Sequence, residues 1–334
     1  MAKTIFGISF TCLIFNCLQA QPDPLLKGKM AVDWFNHHQM TIILDGKIQN
    51  RFELLNTKDN YIDVNAWLNK RDILLATLFN KAENEGTVSG SLITIDTTGK
   101  ILDTLYRAKP YEIIQHVGPS PDDKLLFTGF TRGKYTLAFN GAFFKPISFE
   151  IWDLETKTVL KRIDDFCPSM FLSVSESSWS SDSKFLTYAV LGRQDRSLEV
   201  IGELNARPTE APQRGIYIYD VANDSHKIIL SDGYDPIWSP RGNLIAFKKD
   251  NQIFCYDVEK QTSYRVYKPK AYENLRHVHW TPDGQHLFLR SEREYFRLYP
   301  LYNYFEKWIN VKTKRVRKSQ GPRIGRMNRV TWKQ

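Results

Sequence analysis

One short sequence pattern recurs along almost the whole chain, and this repeat restricts the possible folds more than any other feature. Each copy begins with Trp or Pro, continues into a polar turn that carries Pro, Asp or Gly, and then enters an alternating apolar strand. The copies are WLNKRDILLA (67–76), PSPDDKLLFT (119–128), WSSDSKFLTY (179–188), WSPRGNLIAF (238–247) and WTPDGQHLFL (280–289). Self-similarity at intervals of tens of residues predicts a repeat architecture.

A second pattern, a strand followed by an Asp-centred turn and another strand, comes after each copy of the first. Examples are FEIWDLETKTVLKRI (149–163), IYIYDVANDSHKIIL (216–230) and IFCYDVEKQTSYRVY (253–267). The repeats start at residues 67, 119, 179, 238, 280 and 332, so that the intervals are 52, 60, 59, 42 and 52 residues. Each unit supplies four short strands, and about six four-stranded antiparallel units in series predict a β-propeller.

The two ends of the chain hold complementary fragments of the repeat. RVTWKQ (329–334) starts a repeat that has nothing after it, and TIILDGKIQNRFELL (41–55) is a second half without a start. We therefore expect residues 30–334 to form one six-bladed β-propeller of four-stranded antiparallel blades. Pairing of the C-terminal strand with the N-terminal strands would close it and hide the sheet edges. Two independent β domains are the alternative, and they would leave both fragments unpaired.

These motifs resemble the TolB-type, WD-like propeller repeat of bacterial envelope proteins over residues 30–334. The family pattern is Trp-Ser-Pro-Asp-Gly, an apolar strand, then an Ile-Tyr-x-x-Asp strand and turn, and it matches best at 238–258 and 280–289. The resemblance implies a propeller that binds proteins. The stretch before residue 30 is too short for the separate N-terminal domain of TolB, and the G-x-S-x-G elbow of propeller-gated peptidases does not occur. Fold alone does not fix a function.

Residues 1–20 have the layout of a secretory signal peptide: Lys3, an apolar run over 5–18, and the small residue Ala20 at the cleavage point. The run is short and interrupted by polar residues, which disfavours a membrane-spanning helix. An uncleaved anchor helix is the alternative. We expect a linker over 21–29 and a periplasmic or extracellular protein without a transmembrane segment in its mature chain.

The mature chain would contain two cysteines, Cys167 and Cys255. An export compartment permits a disulfide, but the two residues fall in repeats that are not neighbours. We therefore expect two buried thiols.

The net charge of +9 is concentrated at the C-terminal end. Residues 307–334 contain ten Lys or Arg and no Asp or Glu, and the rest of the chain is nearly balanced. Such a strip can bind anionic polymers, whereas the alternative is a solvated outer surface of the last repeat. For an exported protein we expect no nucleic-acid partner.

Polar residues precede each repeat start, where an inner strand buried on both sides would be apolar. Three positions before the starts lie Val64, His116, Glu176, Asp235, His277 and Arg329, and four positions before lie Asp63, Gln115, Ser175, Tyr234, Arg276 and Asn328. We predict that they line the mouth of a central tunnel. The candidate contacts for a ligand or partner are His116, Glu176, Asp235, His277 and Arg329. A tunnel filled only with water is the alternative.

A metal site at this mouth is conceivable but disfavoured. His277 and His279 lie two apart on a strand and therefore point to the same face. Imidazole and carboxylate groups together can chelate a metal. However, repeat symmetry explains their spacing, and Arg329 adds an opposing charge. We predict no metal and no cofactor.

Three long insertions, over 131–146, 191–215 and 292–308, are expected on the same face. They are rich in aromatic residues, of which Phe143 and Tyr299 are the chosen candidates for partner binding. Exposed aromatic side chains bury much area at interfaces with little loss of entropy. Alternatively, they pack against one another within the loops.

The sequence therefore predicts an exported, non-catalytic propeller that binds a protein or an envelope glycan. No phosphate-binding Gly-rich loop, Cys-x-x-Cys or His-Glu-x-x-His motif occurs, and we predict no catalytic residues. The rival hypothesis is a secreted glycan lyase or glycosidase that uses His116, Glu176, Asp235 and His277 at the tunnel mouth. A scaffold without a ligand is a third possibility.

Overall fold

The computed structural model describes most of the chain between residues 29 and 332. The described ranges are 29–34, 39–45, 47–57, 59–81, 88–109, 112–132, 137–138, 141–142, 147–163, 179–190, 215–295, 301–318 and 327–332. Their regular structure consists of β-strands joined by turns. Across these ranges, no helix has the length and apolar character that crossing a membrane requires. The predicted signal peptide, residues 21–28 of the predicted linker, and Cys167 lie outside them.

The strands follow one another in short antiparallel hairpins. In chain order they are β1 (Lys29–Trp34), β2 (Gln39–Leu44), β3 (Lys47–Glu53), β4 (Asn60–Leu68), β5 (Ile73–Lys81), β6 (Val88–Asp96), β7 (Ile101–Tyr106), β8 (Glu112–Pro119), β9 (Leu125–Arg132), β10 (Leu137–Ala138), β11 (Gly141–Ala142), β12 (Ile147–Asp153), β13 (Thr158–Ile163), β14 (Phe185–Val190), β15 (Gly215–Asp220), β16 (Ser225–Leu230), β17 (Tyr234–Trp238), β18 (Leu244–Lys249), β19 (Gln252–Asp257), β20 (Thr262–Tyr267), β21 (Asn274–Trp280), β22 (His286–Tyr295), β23 (Leu301–Asn310), β24 (Val316–Lys318) and β25 (Met327–Trp332).

These strands build an all-β propeller with five four-stranded sheets. Their strand orders are β25–β1–β2–β3, β4–β5–β6–β7, β8–β9–β12–β13, β17–β18–β19–β20 and β21–β22–β23–β24. In the first of them β25 is antiparallel to β1, with Met30 opposite Trp332. We call β25, β4, β8, β17 and β21 the inner strands, because each one ends at or next to a repeat start.

The predicted count of six four-stranded blades is wrong. Between the sheets of β8 and β17 the described residues form a three-stranded sheet, β14–β15–β16. Of the inner strand expected there, only its end at Trp179 lies within the described ranges, and Trp179 forms an isolated bridge with Leu186. A single bridge is not a strand, because a strand needs a ladder of successive pairs. The described residues therefore form five blades of four strands, and the inner strand of each of these blades ends at or next to a predicted repeat start.

Two of the repeat tryptophans join neighbouring sheets. The indole N–H of Trp280 donates to the carbonyl of Ile237 on β17, with an N–O distance of 3.1 Å. The indole N–H of Trp179 donates to the carbonyl of Gly118 on β8 at 2.8 Å. Both rings are buried. A large residue with one polar atom suits this position because it fills the gap between sheets and satisfies a buried carbonyl.

The polar turn after three of the repeat starts is held by a hydroxyl and a carboxylate. Ser120 Oγ donates to Asp122 Oδ1 at 2.6 Å and accepts the backbone N–H of Leu125 at 2.9 Å. The turn ends in a left-handed residue, with φ of 57° at Asp123 and 64° at Gly284. At Gly284 a Cβ atom would lie 2.9 Å from Cβ of Arg241 in the neighbouring sheet. Glycine is needed there for both conformation and space.

The second, Asp-centred turn is confirmed. Asp153 Oδ1 accepts the backbone N–H groups of Glu155 and Thr156 at 2.9 and 2.8 Å. The hydrogen bond from the Thr156 backbone is the main reason why the pKa of Asp153 is lowered. In the last sheet Asn310 takes the place of the aspartate, and its Oδ1 accepts the N–H of Thr313 at 2.8 Å.

Apolar side chains pack between neighbouring sheets. One cluster joins Phe149 and Ile151 of β12 to Leu186 and Tyr188 of β14. Another joins β17–β20 to β21–β24 and contains the free thiol of Cys255, whose pKa is raised by burial. The predicted buried thiol is therefore confirmed for Cys255.

Candidate functional site

All five inner strands carry an irregularity shortly before the repeat start. The pairing register shifts between Val64 and Ala66, between Ile114 and His116, between Tyr234 and Ile237, between Leu275 and His277, and opposite Asp33 and Trp34 for β25. Such β-bulges redirect side chains and are frequent at rims and binding sites. We call this end of the sheets the mouth. Four of the five register shifts fall on polar positions that the sequence predicted there.

The structure describes the predicted site residues to different extents. Asp235 on β17 and His277 on β21 are described with their side chains. His116 is placed on β8 opposite Gly129, and Arg329 on β25 opposite Asp33. Glu176, Phe143 and Tyr299 lie outside the described residues. Their proposed roles stay predictions.

Asp235 is held in a strained position by a buried lysine. Its φ of 52° is left-handed, which aspartate tolerates better than most residues. Lys248 Nζ donates to Asp235 Oδ2 and to the Arg276 carbonyl, both at 2.6 Å. The Lys248 side chain is only 5% exposed, and that of Asp235 is 24% exposed. Lys248 therefore ties the mouth ends of β17 and β21 together and neutralises the carboxylate.

The next inner strand presents a guanidinium and an imidazole to solvent. Arg276 donates to the carboxylate of Glu292 on β22, which is buried, while more than half of the arginine side chain remains exposed. His277 is exposed. Its ring lies nearly parallel to that of His279, with 6.3 Å between the centroids. The mouth at β21 is thus a polar surface on which the charge of Arg276 is balanced by the buried carboxylate of Glu292.

A second buried ion pair lies where β20 leads into β21. Lys307 Nζ donates to both carboxylate oxygens of Glu273 at 2.6 Å and to the Tyr267 hydroxyl oxygen at 2.7 Å. Tyr267 in turn donates to Glu273 at 3.0 Å. Burial disfavours the charged carboxylate, but the Lys307 ammonium outweighs burial, so the pKa of Glu273 is lowered. Asn251 fixes the same segment by donating to the Glu273 carbonyl at 2.8 Å.

The same arrangement recurs where β7 leads into β8. The Tyr106 hydroxyl donates to the carboxylate of Glu112, which also accepts the backbone N–H of Lys109 at 2.9 Å. Both linkers carry the same sequence pattern, YRAKPYE (106–112) and YKPKAYE (267–273). Neither these two glutamates nor Lys248 were among the site residues predicted from the sequence. The repeated Tyr-x-x-Lys-x-Tyr-Glu spacing was the signal that could have revealed the two linkers.

The Glu273 ion pair should make stability depend on pH. The pKa of Glu273 in the folded protein lies below the ordinary glutamate value of 4.5. The ion pair therefore stabilises the fold fully at pH values above 4.5. The stabilisation is lost as the pH falls through the folded pKa. We expect the difference in unfolding free energy between wild type and Glu273→Gln to shrink from pH 6 to pH 3, as measured by urea denaturation. A difference that stays constant would contradict this.

The predicted insertions are only partly described. β22 and β23 pair continuously from His286 opposite Asn310 to Tyr295 opposite Leu301. Within the predicted insertion over 292–308, residues 293–295 and 301–303 extend this hairpin beyond the start of β21, and residues 304–308 pair with β22 inside the sheet, which corrects the interpretation of these residues as a loop. Within 131–146, β10 and β11 form a two-stranded ribbon. Residues 191–214 lie outside the described ranges.

Metal ligands do not gather in the described part of the chain: it holds no cluster of three or more His, Cys, Asp or Glu side chains able to bind an ion. His277 and His279 have no third ligand of these types within that part. The described mouth is a surface of ion pairs.

Comparison with known proteins supports the fold alone. No family model matches the chain, and no curated protein matches it. An oligogalacturonate lyase in complex with manganese superposes with a TM-score of 0.50 and 14% identity, over 87% of this chain and 73% of that chain. A TolB-like protein from Agrobacterium tumefaciens gives a TM-score of 0.49 and 14% identity, over 87% and 88% of the two chains. At 14% identity the likeness to the lyase structure supports a β-propeller and no specific activity.

Proposed function

We propose that this chain is an exported, non-catalytic β-propeller that binds a protein at the mouth end of sheets β17–β20 and β21–β24. The observation that carries the proposal is the contact between Lys248 and Asp235. A carboxylate that acts as a general acid or base must exchange a proton with its substrate. The charge of Asp235 is instead balanced by the buried ammonium of Lys248, so that Asp235 has a structural role in holding β17 beside β21.

The exposed side chains beside the Lys248–Asp235 pair suit recognition of a partner. Arg276 and His277 point outward from a strand whose backbone is fixed by Lys248. Arginine is enriched at protein interfaces, and groups that are already fixed lose little entropy on binding. Export is proposed from the signal-peptide pattern of residues 1–20.

Site-specific photo-crosslinking tests the proposed surface. A photoreactive amino acid is placed at position 277 in the full chain, and a matched control carries it at position 285. Gln285 is exposed in the turn at the opposite end of the same sheet. We expect a protein adduct from position 277 and none from position 285, because only the first lies at the mouth. Equal adducts from both positions, or none from 277, would reject the proposal.

The same preparation separates the other candidate functions. An envelope glycan captured at position 277, instead of a protein, would replace the protein partner. Release of unsaturated or reducing-end products from an acidic polysaccharide, lost in His277→Ala, would establish the enzymatic alternative. For export, we expect the N-terminus of the mature protein to be Gln21, whereas an intact Met1 in the cytoplasmic fraction would refute it.

A further inference from the structure

The turn between β23 and β24 differs in charge from the corresponding turns of other sheets. Asp153-Leu-Glu155-Thr-Lys157 and Asp257-Val-Glu259-Lys260-Gln261 become Asn310-Val-Lys312-Thr-Lys314 in the last sheet. The backbone is the same, since Lys157, Gln261 and Lys314 are all left-handed, with φ of 57°, 53° and 58°. The turn has therefore kept its shape while both acidic positions were replaced.

Ion pairing shows the effect of this replacement. Lys157 pairs with Asp103 at 2.7 Å, and Lys260 pairs with Asp257 at 2.8 Å. Lys312, Lys314, Arg315 and Lys318 are exposed, and in the described ranges none of them forms an ion pair. Asn310 makes the turn hydrogen bonds of an aspartate without its charge. The outer edge of the last sheet thus presents cations that its own acids do not neutralise.

We propose that this outer edge, formed by residues 310–318, binds an acidic polysaccharide. Surface cations attract a polyanion and release its counterions, a contribution that grows with each contact and falls with salt. Lys314 Nζ lies 5.8 Å from the ring centroid of Tyr264 and covers it. Single-stranded nucleic acids are bound largely by stacking on open aromatic faces. An edge that offers charge without such a face suits a polymer recognised through its anionic groups.

This site is separate from the proposed protein-binding mouth. β23 runs from Leu301, which is opposite Tyr295 in the mouth hairpin, to Asn310 at the other end of the sheet. The edge could also be explained by protection against strand pairing, because lysines on a short edge strand discourage aggregation. That explanation predicts no affinity for a polyanion.

The experiment restores the charges of the other turns. The variant N310D/K312E copies residues already present at Asp153 and Glu155, so that the turn should keep its fold. The matched control A222E/K227E makes the same charge change on exposed positions of the three-stranded sheet. Heparin is the probe, and binding of the full chain is measured by fluorescence anisotropy at several salt concentrations. Lys314→Gln, which copies Gln261, is a second variant.

We expect N310D/K312E to bind heparin at least about tenfold more weakly at low salt, with a shallower salt dependence, and the control to bind as the wild type does. Lys314→Gln should show a smaller loss in the same direction. Equal weakening in N310D/K312E and the control would indicate net charge alone and overturn the proposal. Unchanged affinity in both edge variants, or tighter binding of duplex DNA than of heparin at equal salt, would overturn it as well.

Discussion

Lys307→Met should destabilise the protein by about 3–5 kcal/mol, because it leaves a buried carboxylate without its cation. The side chains of Lys307 and Glu273 are only 11% and 4% exposed. The lysine contacts both carboxylate oxygens and the Tyr267 hydroxyl, so that one substitution removes three hydrogen bonds. Urea denaturation at pH 7 measures the loss as the change in unfolding free energy.

A double variant shows whether the loss comes from the unpaired charge. Glu273→Gln combined with Lys307→Met removes both charges, and we expect this protein to be more stable than Lys307→Met alone. Lys184→Met is the surface control, because Lys184 is 70% exposed and lies 3.6 Å from Asp182. Its effect should stay within about 0.5 kcal/mol. A similar small effect for Lys307→Met would show that the buried pair contributes little.

The repeat made the sheets predictable, since one hydrophobic pattern and two turn patterns recur in each unit. Five inner strands end at or beside their predicted repeat starts, and Ser120, Asp153 and their counterparts form the predicted turns. The β14–β15–β16 sheet departs from this regularity within the described ranges. The sequence around Trp179 carries the same pattern, but the residues before Trp179 lie outside those ranges, and Trp179 itself forms an isolated bridge with Leu186.

The candidate site was less predictable because its geometry depends on contacts between distant segments. Asp235 and His277 were identified by their position before a repeat start. Lys248 lies in an ordinary second strand, and nothing in its local sequence shows that its ammonium reaches the Arg276 carbonyl. The register shifts at the mouth end of the inner strands were not predicted either. Each one inserts an extra residue, so that the side chains before it lie on the opposite face from the one that simple alternation predicts.

Trp280→Ala should cost about 3–5 kcal/mol, because it opens a cavity between two sheets and orphans a buried carbonyl. The indole is 4% exposed and packs with Leu275, Val278 and Leu287. Trp280→Phe retains most of the volume but cannot donate to the Ile237 carbonyl. Its smaller cost, about 1–2 kcal/mol, therefore measures the contribution of this hydrogen bond to stability. Both are measured by urea denaturation with circular dichroism. Equal losses in the two variants would show that the hydrogen bond contributes more than the packing of the ring. Losses of no more than about 0.5 kcal/mol in both would show that Trp280 is not what joins the two sheets.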